Sequence, residues 1–230
     1  MSRLVTIVVL LALSIFLGAN AFAANLITNG GFETGDFTGW TVANQAGGGG
    51  DWFVLSGTTE PISGHASVGP ASGNWYASSD QPGAGCHVLY QMVTLPFTGA
   101  IQLSFDMFVN NWDSTEPFGP LDFTVSPNQY GRVDVLQPNA NPFSTAAADI
   151  VQNFALSDAV AVGGPNPYIH YSFDLPSAAA GTYMLRFAEV DNQLWFNQGV
   201  DNVRVNTPEP SSLLFLLTAL PFATRLRRRK

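Results

Sequence analysis

The chain has 230 residues, is 46% hydrophobic and 11% charged, and carries a formal net charge of −8. Its basic residues gather at the ends: between residues 24 and 207 only Arg132, Arg186 and Arg204 stand against 16 acids, a net of −13 with no lysine. A segment so poor in cations cannot neutralise phosphate, which counts against nucleic acid and anionic lipid as its partners, and the single cysteine, Cys86, rules out an internal disulfide.

At the N-terminus, Arg3 precedes an apolar run over residues 4–17, and Ala21 and Ala23 follow at small-residue spacing. A charged start, a short apolar core and an A-x-A site predict a secretory signal peptide over residues 1–23, cut by signal peptidase after Ala23. The run is shorter than the roughly 20 residues that a permanent span needs.

Residues 24–207 then read as one all-β domain. No stretch keeps a helical period for more than about two turns. Strands are predicted over residues 26–32, 52–55, 75–78, 86–95, 101–109, 132–136, 171–175, 183–187 and 200–205, with a further alternating set at Leu121, Phe123 and Val125. Ile101, Leu103, Phe105, Met107 and Val109 share one face, whereas 86–95 is apolar on both faces, as in a central strand. The glycine run within residues 46–51 predicts a mobile loop, and the Asn-, Pro- and Ala-rich residues 138–149 read as a loop; 146–155 has the composition for one short helix. Nine or ten short strands in about 184 residues predict a two-sheet antiparallel β-sandwich, a jelly roll. Trp40 and Trp75 read as core, and Trp52 fits either core or surface.

Beyond the domain come Pro208, Glu209 and Pro210, an apolar run over residues 213–223, and the cluster Arg225, Arg227, Arg228, Arg229 and Lys230. The prolines leave an accessible extended segment, the run enters a bilayer, and the cations stay on its cytoplasmic side. Residues 212–224 span only about 20 Å as a helix, with Pro221 inside them, so snorkelling and local thinning must make up the thickness. This terminus closely resembles the PEP-CTERM sorting signal of bacterial exported proteins. The resemblance implies that residues 208–230 anchor the chain transiently in the inner membrane. It also implies that an exosortase-type membrane protease recognises Pro208, Glu209 and Pro210, and that the processed domain reaches the cell surface or extracellular matrix.

A second resemblance covers the domain. The opening from Asn25 through Gly30, Gly31, Phe32 and Glu33 to Gly39 and Trp40, and the closing run Gly199, Val200, Asp201, Asn202, Val203, are similar to the first and last strands of galactose-binding-like and carbohydrate-binding-module jelly rolls. The resemblance implies a structural calcium held by Glu33 and Asp201, with Gly35 and Asp36 near enough to add oxygens. If Asp201 points inward with Val203 and Val205, its carboxylate needs a partner, and either calcium or loop amides would serve.

Glycan sites combine an aromatic platform with amide and carboxylate hydrogen-bonders. That chemistry occurs at Trp112 with Asn111 and Asp113, and at Trp195 in the polar run before the last strand; both tryptophans also suit loop aromatics folded onto the sandwich. No catalytic constellation stands out. His65, His87 and His170 lack metal-type spacing with Cys86, adjacent Cys86 and His87 point to opposite faces of a strand, and there is no G-x-S-x-G elbow. Two functions are expected to compete: a non-catalytic module binding extracellular polysaccharide, and a structural surface or biofilm-matrix protein with no small ligand.

Overall fold

A computed structural model describes residues 25–96, 101–113, 118–157, 163–175 and 179–207. The expected signal peptide and sorting segment lie outside the described residues. No helix of the described residues is long and apolar enough to cross a membrane.

Among the described residues, ten strands form two antiparallel five-stranded sheets. The strands are β1 (Thr41–Asn44), β2 (Asp51–Leu55), β3 (Tyr76–Asp80), β4 (Gly85–Leu95), β5 (Gln102–Asn111), β6 (Tyr130–Leu136), β7 (Ile150–Ser157), β8 (Ile169–Asp174), β9 (Gly181–Asp191) and β10 (Phe196–Asn206). One sheet has the order β1-β4-β9-β6-β7 and the other β2-β3-β10-β5-β8. Residues Leu26–Val205 make one compact unit, and Asn25 and Asn206 pair with each other through an isolated bridge.

The two-residue period of the strands sorts their side chains. On β4 and β9, Leu89, Val93, Leu95, Leu185 and Phe187 enter the core between the sheets with Phe105, Leu103, Trp40 and Phe196. Their neighbours Cys86, Val88, Ala188 and Val190 face outward into a second cluster, closed by Leu121, Tyr130, Phe123 and Phe143. Trp52 is core as well.

Four expectations about the chain path are corrected. Residues 26–32 are not a strand: Leu26 N–H donates to Val205 O, but Asn29 and Phe32 then adopt positive φ and turn the chain. Leu121, Phe123 and Val125 lie in a turn, because the Asp122 carboxylate accepts from both the backbone and hydroxyl of Thr124. Residues 150–157 pair with β6 rather than forming a helix, since β-branched Ile150 and Val151 suit a sheet. The glycine run is anchored on the β3–β4 connection: Gly49 N–H donates to Ala84 O, and a Cβ at Gly50 would strike Gln81.

Candidate functional site

At the end of the sandwich where β9 hands over to β10, the β3–β4 and β9–β10 connections wall a cleft of about 210 Å³. Gln81, Pro82 and Ala84 form one side; Asp191, Asn192, Gln193, Leu194 and Trp195 form the other. Amide side chains hold the second wall in shape. Asn192 Nδ2 donates to Phe123 O and Val125 O while its Oδ1 accepts from Asn128 N–H. Gln129 Oε1 accepts from the backbone of both Gln193 and Leu194. Leu194, at the rim, is 54% exposed.

The fold unites the two sequence-predicted tryptophans. Trp112 N–H donates to Trp195 O. Between them stands His65, its ring stacked on Trp112 at 4.1 Å and edge-on to Trp195 at 5.5 Å. Trp195 lines the cleft, and Trp112 backs it through this stack. Asn111 is fully buried: its Oδ1 accepts from Gln129 Nε2 and from Asp113 N–H, so it fixes the loop instead of meeting solvent. Asp113 is half-buried beside it. Sequence reasoning missed His65 and Gln81, which lie far away in the chain with no local motif to mark them.

Beneath the cleft the space between the sheets turns polar. His87 and Glu189 are cross-strand partners on β4 and β9, and Asp191 lies opposite Gly85. All three are buried, and their ligand atoms lie within 4.8 Å of one another. Burial raises the carboxyl groups of Glu189 and Asp191 well above the usual carboxylate range, and each is further raised by neighbouring acids. Burial also lowers the His87 imidazole, against the pull of Gly49 O. The signal for this cluster was present in the sequence: His87 is two residues before Leu89, and Glu189 two after Phe187, so both share the inner face. Reading residues 86–95 as apolar on both faces concealed it.

The other candidate, Glu33 with Asp201, is a clamp of amides on carboxylates. Glu33 accepts from the backbone N–H of Asn74 and Trp75 and from Asn74 Nδ2. Asp201 Oδ2 accepts from Ala71 and Ser72 N–H, and Oδ1 from Asn202 N–H. Asn202 has φ 54°, and both Val200 and Val203 reach the inner core. The strict alternation that was expected to carry Asp201 inward with the valines is therefore broken, and Asp201 is buried under residues 71 and 72 instead. Asp36 caps its own turn, accepting from Thr34 Oγ1 and Thr38 N–H, and Gly35 seats the Trp75 ring. Peptide N–H groups meet these carboxylates from several sides. Calcium at this clamp rests on the resemblance alone.

No protein-family model and no curated protein sequence matches the chain. Among solved structures it is similar to TmCBM61, a structure in complex with β-1,4-galactotriose, at 14% identity and a TM-score of 0.50, covering 80% of this chain and 98% of that one. It is also similar to a CBM22-1 xylan-binding domain from Paenibacillus barcinonensis, at 11% identity and a TM-score of 0.43, covering 82% and 97%. A third similar structure is the enzymatically active domain of bacteriophage CBA120 tailspike protein 4, at 16% identity and a TM-score of 0.45, covering 79% of this chain and 21% of that one. At such identities the likeness is one of fold, and β-sandwich carbohydrate-binding modules are structural neighbours of this chain.

Proposed function

We propose that the chain is an exported, non-catalytic glycan-binding module whose site is the cleft walled by residues 81–84 and 191–195. The observation that carries this reading is the wall itself: Trp195 stands beside exposed Gln193 and Leu194 in an open groove, on a loop that Asn192 and Gln129 hold in shape. An aromatic face and convergent amide groups are what a neutral sugar ring requires. The absence of lysine between residues 24 and 207 and the strong acidity there suit a neutral polysaccharide better than an anionic one. The fold shared with a galactotriose-bound module adds support. Export through the signal peptide, cleavage by signal peptidase, and processing by an exosortase-type protease at Pro208, Glu209 and Pro210 complete the proposal, placing the domain at the cell surface or in the extracellular matrix.

A glycan array probed with the full chain, beside its Trp195→Ala variant, tests the site. Loss of one aromatic platform should weaken binding by about tenfold or more, with folding unchanged. An array that stays blank for the unmodified chain would favour the structural-matrix alternative.

A further inference from the structure

The polar chamber beneath the cleft is poor in the partners that its groups need. Glu189 is completely buried, yet neither Oε1 nor Oε2 has a hydrogen-bond partner among the described residues. Asp191 Oδ1, both amide atoms of Gln81, and Gln198 Oε1 are in the same condition. A buried carboxylate left as Glu189 is costs several kcal/mol, so the chamber is incomplete as protein alone.

The backbone clears the space around them. Gly85 stands cross-strand from Asp191, and Gly131 stands cross-strand from Glu189 on β6. A Cβ at Gly85 would clash with His87 Nε2, and one at Gly131 would press on Gln198 Oε1. Glycine at both positions facing the acids thus lets His87 Nε2 and Gln198 Oε1 come close to the strand backbone beside them.

His87 supplies a further observation. Its Nδ1 faces Asn44 Oδ1 at 2.8 Å, and that amide is held the right way round because Asn44 Nδ2 donates to Asp51 Oδ1. Nδ1 therefore carries the proton. Its Nε2 faces another acceptor, Gly49 O, at 2.9 Å, with Glu189 Oε1 at 3.8 Å. Only an imidazolium satisfies both contacts, and burial opposes that charge. A cation at Nε2 removes the conflict: Nδ1–H donating to an oriented oxygen is the usual support of a metal-bound imidazole.

We propose that His87 Nε2, Glu189 and Asp191 bind a divalent transition ion of the zinc or manganese class, with the Gln81 and Gln198 carbonyl oxygens available to complete its shell. One nitrogen and several carboxylate and amide oxygens match that class better than calcium, which takes oxygen ligands. Asp191 also lines the cleft and gives the ion an entry path. The inference stands apart from the glycan reading, because His87 and Glu189 are buried and do not line the cleft.

The test loads the full chain separately with zinc, manganese and calcium, removes free ion, and measures bound metal and Tm. Expected are stoichiometric zinc or manganese and a Tm raised by several degrees, as a ligand specific to the folded state produces. Glu189→Gln should retain less than about a tenth of that metal, the loss expected for a primary ligand. His87→Gln, if Glu189→Gln fails to fold, should lose the Tm response in the same way. Substoichiometric metal with no Tm change in any ion would overturn the proposal. Undiminished uptake by both variants would also overturn it, as would uptake of calcium alone.

Discussion

The carboxylate of Asp134, on the outward face of β6, receives Arg132 through Nε and Nη2, Arg186 through Nε and Nη2, and Asn153 through Nδ2. Burial alone would raise this acid, but the hydrogen bonds from Arg132 and the two guanidinium charges outweigh it and hold Asp134 below the usual range. Arg186 is fully buried and also donates to Pro142 O and Ser144 O, pinning the 138–149 loop. Asp134→Asn strands that guanidinium, so urea unfolding should show a loss of about 3–5 kcal/mol. Glu60 behaves in the opposite way. Burial pushes its carboxyl up to about 8, although Ser78 Oγ donates to it. The folded state therefore prefers the neutral acid. The stability this gives is full below the unfolded value near 4.5 and is lost as pH rises through about 8. Glu60→Gln should thus stabilise the protein at pH 8 by on the order of 2 kcal/mol and leave it unchanged at pH 4; unfolding curves at the two pH values check this.

Among the elements, those with long alternation were legible in the sequence. The pattern of Ile101 to Val109 appears as β5, and that of Tyr183 to Phe187 as part of β9. Where side chains compete for the backbone, the pattern misled: Asp122 closes a turn within an apparently alternating run. The candidate site was legible in part, through its tryptophans. Its second wall depends on Gln129, whose one amide oxygen holds two backbone N–H groups from a loop more than 60 residues away, and such pairing has no sequence signature. Gln129→Ala should leave those donors unsatisfied, cost about 1–3 kcal/mol, and weaken glycan binding along with stability. At the opening turn, Gly30 O accepts from Val203 N–H on β10, and a Cβ at Gly30 would overlap Val203 O. Gly30→Ala must separate this segment from β10; a Tm fall of several degrees is the expected outcome.

At the scale of the whole molecule, backbone N–H groups clamp Glu33 to residues 74 and 75 and Asp201 to residues 71 and 72. Thermal unfolding in calcium and in chelator should then give the same Tm for the Glu189→Gln variant, in which the buried chamber cannot contribute; a rise of several degrees with calcium would instead place the ion between Glu33 and Asp201.

The strand β10 begins next to the cleft at Phe196, and Val205 near its far end pairs with Leu26. Those ten residues carry the backbone roughly 30 Å. Both exits of the Leu26–Val205 unit therefore open at the pole opposite the groove. The groove is therefore clear of the place where the two ends of this unit meet, and a polymer lying in it covers neither end.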